Sequence, residues 1–274
     1  MEKKKNWVLI FPPILILTLL ASLVSLLKVD FYSRDSAIMA MKSHYLDLIH
    51  LCIVVPIGIF MFIFAYRKSY WAKLFIIGMM GYIGFMFGFN AFSLFFNELF
   101  LVYTAVFSLC VFGMLIGYKR ECRSGNISNS PLSYKISGGF LLLFAVTAYV
   151  AWLMEIISST INNLIPESIS GMGLPSSVVH VFDMGFALPI IILGAILLLK
   201  RKKSGLIISS IAASFIFFTC TSILIMESAL KYFEMPFDVG KLYSMYVLAP
   251  LSIFPIIALF SSVSKLTKKG LLES

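Results

Sequence analysis

Apolar residues are gathered along this chain into eight long runs, each closed by charged or turn-forming residues. The runs are Trp7–Leu27, Leu46–Tyr66, Leu74–Phe92, Leu99–Tyr118, Gly138–Ser158, Val178–Leu199, Gly205–Met226 and Leu242–Ser264. Each run has roughly 20 residues, and a bilayer core about 30 Å thick needs about 20 helical residues to cross it. The pattern therefore predicts an all-α polytopic membrane protein with eight transmembrane helices.

The composition strengthens this prediction. Hydrophobic residues make up 60% of the 274 residues and charged residues only 13%, whereas about 25% of the residues of a soluble domain are charged. The eight runs occupy almost the whole chain, so no separate soluble domain has room to fold. We therefore expect a single membrane domain, residues 1–274, surrounded by the lipid bilayer.

Basic residues are distributed unevenly between the two sides of the predicted bundle. The N-terminus, the loops after the second, fourth and sixth runs and the C-terminal tail hold 17 of the 22 lysines and arginines. Cationic loops stay on the cytoplasmic side of a membrane. This predicts a multi-pass protein of the cell membrane with both termini in the cytoplasm, and it accounts for the net charge of +9 without a nucleic-acid partner.

A polar linker at residues 119–137 divides the chain into two halves of four runs, residues 1–118 and 138–274. In each half, the second run contains a proline and ends in a basic turn. Four is an even number, so two such halves would share one orientation in the membrane, as parallel repeats do. Parallel four-helix repeats are one interpretation; the other is that any two sets of membrane helices look alike.

A His-x-x-Asp pattern opens the second run of each half. His44 and Asp47 form it in the first half, and His180 and Asp183 form it in the second. In the repeat interpretation, these two pairs meet at the axis between the halves. In the alternative interpretation, they cap the first turns of their helices, where such side chains satisfy free backbone N–H groups.

Polar side chains within membrane spans mark candidate functional positions, because a charged group at the centre of a span costs about 2.5–3.5 kcal/mol on insertion scales. In this chain they share one depth, near the predicted outer ends of the helices. The candidates for binding a small solute, a proton or a cation are Asp47, Asp183, Glu155, Asn90 and Asn97.

The three histidines are weaker candidates, as ligands of a metal or of haem iron. His44, Asp47 and His50 fall on one helical face, within an arc of about 120°, and His180 lies at the same depth in another span. Imidazole and carboxylate groups bind divalent metals, and they also relay protons. The sequence does not specify a cofactor.

Three stretches resemble an uncharacterised family of multi-pass bacterial membrane proteins. They are Tyr45–Leu48 with Pro56, Asn90–Tyr103, and Val178–Met184 with Pro189. The resemblance covers most of the chain and implies the topology, but no residue role, because the family has no established activity. The family has Tyr as readily as His at the position of His180, which shifts the weight of a functional role to Asp183.

The leading hypothesis for function is a small transporter or permease-like protein with an outward-facing polar pocket. One alternative is a membrane enzyme or a haem or metal protein that uses the His and Asp residues. Another is a structural or sensing subunit. The chain has no G-x-S-x-G, H-E-x-x-H or phosphate-binding loop motif, so its sequence does not decide whether it is an enzyme.

Overall fold

The computed structural model describes residues 6–122, 125, 127 and 132–268. For residues 265–268 only the backbone is described. Within these residues the structure is 83% helical, and it contains no strand. Eight helices are long and apolar enough to cross a membrane: α1 (Trp7–Leu27), α2 (Ala37–Tyr66), α3 (Tyr70–Ser93), α4 (Phe100–Glu121), α5 (Leu132–Ile161), α6 (Val178–Leu199), α7 (Lys203–Tyr232) and α8 (Val239–Ser264). The prediction of an all-α membrane protein with eight spans is confirmed.

Helix α2 begins well before the apolar run that predicted it. Its first residue is Ala37, and the Ser36 hydroxyl accepts a hydrogen bond from the backbone N–H of Met39 at 3.2 Å. Serine is favoured at this position because its side chain satisfies an N–H group of the first turn. Asp47 therefore lies well inside the helix, and the capping interpretation is wrong for it.

Helix α6 begins in the same way. The Ser177 hydroxyl accepts a hydrogen bond from the backbone N–H of His180 at 3.1 Å. Asp183 lies beyond the first turn, so the capping interpretation is wrong for this residue as well. A serine directly before the first helical residue provides the cap in both helices, so both aspartates are free for other contacts.

The two central helices of the bundle are α3 and α7. In the most apolar stretch of each of these helices, 78% and 61% of the residues are buried, against 11–44% in the other six helices. A small residue lets them approach closely: a Cβ atom placed on Gly78 would lie 2.5 Å from the carbonyl oxygen of Ile211 and 2.6 Å from Cβ of Ser214. In lipid, helices associate through close packing of this kind.

The helices form two four-membered rings. In the first, α1 contacts α2 and α4, and α3 contacts α2 and α4. In the second, α5 contacts α6 and α8, and α7 contacts α6 and α8. The rings join through α3 and α7, with further contacts of α2 to α7 and of α3 to α6.

Helices α2 and α6 are each interrupted by a short π-helical segment, His50–Val54 in α2 and Asp183–Ala187 in α6. Pro56 and Pro189 follow these segments at the same interval. Proline has no N–H to donate, and its ring crowds the carbonyl four residues earlier, so a wider turn before it relieves the clash. The two helices thus share one backbone irregularity, with the same cause.

These segments and prolines align the two halves of the chain in one register, called the proline register below, in which Pro56 corresponds to Pro189. The His-x-x-Asp patterns suggest a different register, in which His44 corresponds to His180. The two registers differ by somewhat less than one helical turn. In the proline register, the residue that corresponds to His180 is Asp47.

The turns that follow α2 and α6 agree with the proline register. Lys68 and Arg201 correspond in it, and both have a left-handed backbone, with φ of 67° and 58°. The next helices begin at Tyr70 and Lys203, which also correspond. These turns carry several lysines and arginines, and the end of the bundle where they lie is called the basic end below.

At the basic end, a buried carboxylate closes the first ring. The Trp7 indole N–H donates a hydrogen bond to Oε1 of Glu121 at 2.8 Å, and Nζ of Lys73 lies 3.3 Å from the same oxygen. The Tyr70 hydroxyl donates to the backbone carbonyl of Glu121 at 2.6 Å. The start of α1, the start of α3 and the end of α4 are therefore held together.

Candidate functional site

A cavity of about 150 Å³ lies between the two rings, at the end of the bundle away from the basic end. Its wall is formed by the first halves of α2 and α6, the start of α8, the second halves of α3, α5 and α7, and the connection between α5 and α6. Most of the wall is apolar and rich in methionine and aromatic residues: Met39, Met86, Met172, Met226, Phe85, Phe89 and Trp152. Four charged residues also line it: Lys42, Asp183, Glu227 and Lys241.

Asp183 is held at the cavity wall by a tryptophan of the neighbouring helix. The Trp152 indole N–H donates a hydrogen bond to Oδ2 of Asp183 at 3.0 Å. Among the described residues, no lysine, arginine or histidine forms an ion pair with this carboxylate. Asp183 is also the first residue of the π-helical segment of α6, an irregularity that is frequent at functional sites.

A second contact between α5 and α6 lies one turn from the first. Nε2 of His180 lies 3.7 Å from Oε2 of Glu155, and the imidazole ring stands edge-on to Trp152 at 4.3 Å between centroids. The other oxygen of Glu155 accepts a hydrogen bond from the backbone N–H of Ser168 at 3.0 Å. Glu155 therefore supports the cavity wall through His180 and the Ser168 segment.

Lys42 and Glu227 form an ion pair across the cavity, between α2 and α7. Nζ of Lys42 lies 2.8 Å from Oε1 of Glu227. Glu227 is 2% exposed, and its other oxygen accepts a hydrogen bond from the backbone N–H of Asp238 at 3.3 Å. Sequence reasoning missed Lys42 as a site residue because it precedes the apolar run, in a stretch interpreted as a loop.

Lys241 is the second lysine of the cavity wall. Its ammonium lies over the face of the Trp152 indole, 5.8 Å from the ring centroid, and 3.8 Å from Oδ2 of Asp238. A cation over an indole face is attracted by the electron density of the ring. Trp152 thus has a carboxylate at its N–H edge and an ammonium over its face.

Asp47 lies outside the cavity wall, in a cluster of hydroxyl groups within the first ring. The hydroxyls of Ser25 and Tyr32 each donate to Oδ2 at 2.5 Å, and the Ser22 hydroxyl donates to Oδ1 at 3.2 Å. Asp47 is 4% exposed. A buried carboxylate is stable when enough donors replace its water, and three hydroxyls do so here.

His50 is buried in a layer of aromatic rings between α2 and α3. Its imidazole stacks on Phe87 at 5.3 Å and meets the edge of Tyr82 at 6.0 Å between centroids. In the described part of the chain, neither ring nitrogen has a hydrogen-bond partner. An imidazole in such a place leaves at least one polar atom unsatisfied.

The remaining sequence candidates lie elsewhere. Asn90 is buried in α3, with its side-chain oxygen lacking a partner among the described residues. Asn97 shapes the turn before α4: its side chain accepts a hydrogen bond from the backbone N–H of Leu99 and donates to the carbonyl of Phe95. His44 is exposed beside Tyr45. Of the sequence candidates, Asp183 therefore lines the cavity and Glu155 supports its wall from behind, whereas Asp47, Asn90 and Asn97 lie outside the lining.

The three histidines do not converge either. His44 is exposed, His50 lies between α2 and α3, and His180 packs against α5. Over residues 6–122, 125, 127 and 132–268, no three His, Cys, Asp or Glu side chains are grouped as metal ligands. The arrangement instead offers an apolar volume with charges of both signs on its wall.

Comparisons with models of protein families, with characterised proteins and with solved structures gave no match to this chain.

Proposed function

We propose that this protein is a small-solute transporter of the cell membrane, and that its solute binds in the cavity between the two rings. The observation that carries the proposal is the cavity itself, which combines an apolar wall with a few polar groups, as small-molecule sites do. Two wall hydroxyls, Ser168 Oγ and Thr219 Oγ1, have no partner among the described residues. Buried polar atoms that lack partners are high in energy, and a polar ligand would satisfy them.

The packing of α3 against α7 supports an alternating mechanism. Both helices line the cavity, and nearer the basic end they touch at Gly78 and Ser214. The bundle is thus closed on one side of the cavity. A carrier needs a second state in which this contact opens and the cavity closes at its other end. In the orientation that the basic loops predict, the cavity in the present state faces outward.

We further propose that the two rings are parallel repeats, aligned in the proline register rather than by the His-x-x-Asp patterns. Two pairs of side-chain contacts support this alignment. Ser22 contacts Asp47 in the first ring, and the corresponding residues of the second ring, Glu155 and His180, contact each other as well. Transporters with parallel repeats bind their solute at the interface between the repeats, where this cavity lies.

The second pair of contacts crosses the interface between the rings. Tyr82 of α3 meets Phe218 of α7 at 5.4 Å, and Phe85 of α3 meets Phe215 of α7 at 5.8 Å. In the proline register Tyr82 corresponds to Phe215 and Phe85 to Phe218, so exchanging the two rings turns each contact into the other. A two-fold axis between α3 and α7 would produce this exchange, and a rocking motion of the rings would follow the same axis.

Cysteine accessibility tests the transport proposal without knowledge of the solute. Thr219→Cys and Ile223→Cys, in a chain whose four native cysteines are replaced, put a thiol on the cavity wall. A carrier should expose this thiol to a membrane-impermeant maleimide from either side, in right-side-out and in inside-out vesicles. Leu143→Cys on the exposed side of α5 is the control and should remain unlabelled. Labelling from one side only would contradict a carrier.

A further inference from the structure

We infer that the solute is a zwitterion with a compact apolar body, the chemistry of a neutral α-amino acid. The inference rests on the proposed function of the cavity and goes beyond it by specifying the substrate class. It follows from the placement of one available carboxylate and one available ammonium around the same tryptophan, next to an apolar volume.

Asp183 is the group that would bind the ammonium of the solute. Its carboxylate lines the cavity, and the Trp152 indole N–H is its hydrogen-bond donor. A carboxylate accepts about four hydrogen bonds, and the described residues supply no cation to this one. An ammonium from the solute would provide up to three donors and the missing opposite charge.

Lys241 is the group that would bind the carboxylate of the solute. Its nearest anion, Asp238, is 3.8 Å away, three residues earlier, and about half exposed. Ion pairs near the protein surface contribute little free energy, so Asp238 holds this ammonium only weakly. The other oxygen of Asp238 already accepts a hydrogen bond from the backbone N–H of Lys241 at 2.8 Å. The ammonium of Lys241 therefore retains donors for a second carboxylate.

The other two charges of the wall are not available to a solute. Lys42 and Glu227 lie 2.8 Å apart, and the side chain of Glu227 is only 3% exposed. The backbone N–H of Asp238 occupies the second oxygen of Glu227. Because this pair neutralises itself, the cavity presents one charge of each sign, which favours a zwitterion over a simple amine or a simple carboxylate.

The size and composition of the cavity limit the apolar body. An apolar cavity of about 150 Å³ holds benzene, which has six heavy atoms, and the volume here is about 150 Å³. Met39, Met86 and Met226 form part of the wall, and methionine adapts its shape to different neighbours. An aliphatic side chain of the size of leucine fits this limit.

Three matched ligands distinguish a site for a zwitterion from a site for a simple amine or a simple carboxylate. They are L-leucine, which has both charges, 3-methylbutylamine, which has only the ammonium, and 4-methylpentanoate, which has only the carboxylate. With purified protein in detergent, titration calorimetry should give an affinity for leucine about tenfold or more above either of the others, as expected when one charge-assisted hydrogen bond is lost. Equal or tighter binding of the amine or of the carboxylate would overturn the inference.

Two variants test the roles of the two charged groups. Asp183→Asn should weaken the binding of leucine and of the amine by about tenfold, and it should leave the binding of 4-methylpentanoate equal or tighter. Lys241→Gln should weaken the binding of leucine and of 4-methylpentanoate, and it should leave the binding of the amine equal or tighter. Asp238→Asn is the matched control: asparagine still caps α8, the competing charge is gone, and leucine should bind at least as tightly. Equal losses for all three ligands in either variant would overturn the assignment.

The outcomes also separate this inference from the transport proposal. If none of the three ligands binds while Thr219→Cys is labelled from both sides of the membrane, the substrate class is wrong and the carrier remains. If leucine binds selectively while Thr219→Cys is labelled from one side only, the substrate class stands for a binding protein and the transport proposal fails.

Discussion

His50 and Asp183 occupy the same place in two different helices: each begins a π-helical segment, and the two correspond in the proline register. In this register the histidine of one ring corresponds to the aspartate of the other, and Asp47 likewise corresponds to His180. The carboxylate and the imidazole have exchanged positions. Asp183 lines the cavity, whereas His50 lies in an aromatic layer, so the two rings use the same backbone irregularity for different purposes.

Replacement of the buried imidazole should stabilise the protein. His50→Phe removes two ring nitrogens that lack partners in the described part of the chain and keeps a ring beside Phe87 and Tyr82. Because an unsatisfied buried polar group costs about 1–3 kcal/mol, we expect a gain of about 1 kcal/mol, measured as a higher midpoint of thermal unfolding in detergent. A lower midpoint would contradict this account of the imidazole.

The hydroxyl cluster around Asp47 should be sensitive to loss of the acceptor. Asp47→Ala leaves the hydroxyls of Ser22, Ser25 and Tyr32 without their common partner, and we expect a loss of about 3 kcal/mol or more. Asp47→Asn keeps one good acceptor and should cost less. Denaturant titration in mixed micelles measures both losses. Equal stability of the two variants would contradict this account of the cluster.

Alkaline pH should weaken the same cluster through Tyr32, which lies in the connection between α1 and α2. Burial, together with the charge of Asp47, raises the pKa of its phenol well above the ordinary value of 10.0. A raised pKa in the folded state means that the stability contribution is complete below about pH 10 and falls as the pH rises above it. The wild type should lose up to about 1.4 kcal/mol per pH unit more than Tyr32→Phe, measured by unfolding between about pH 9 and 11.5. If the stabilities of the wild type and of Tyr32→Phe fall in parallel with pH, this role of Tyr32 is contradicted.

The contact between α3 and α7 should not tolerate a methyl group. In Gly78→Ala the new Cβ would meet the backbone oxygen of Ile211 at 2.5 Å, and the resulting overpacking should cost about 1–3 kcal/mol. Gly139→Ala in α5 is the control, because nothing lies within 4 Å of its Cβ position and alanine favours the helix. If both substitutions lower the unfolding midpoint equally, the close approach of the two central helices is not what Gly78 provides.

The spans could be predicted from the sequence because lipid imposes a length and a composition on every crossing helix. The cavity could not. Lys42 and Lys241 looked like loop charges, since hydropathy places a helix end at the edge of its apolar run, while Ser36 and Asp238 begin the helices earlier. The partners of a polar residue depend on how whole helices are rotated and packed. That arrangement cannot be inferred from a single sequence.

Asp47 illustrates the same limit. Its donors Ser22 and Ser25 are small residues within an apolar run of another helix, where serine is as compatible with close helix packing as with hydrogen bonding. Nothing in their spacing singles them out. The proline register was hidden for a similar reason, because the coincidence of residue names in the His-x-x-Asp patterns was more visible than the prolines Pro56 and Pro189.

The buried Glu121 at the basic end has a consequence for the biosynthesis of the chain. Its partner Trp7 is the first residue of α1, and Glu121 is the last residue of α4. The first ring can therefore close only after the ribosome has delivered its fourth helix. Until then the indole has no acceptor, and afterwards the carboxylate has the tryptophan and Lys73 beside it. This contact between α1 and α4 can form before the second ring is made, whereas α3 keeps a face that α7 will cover only later.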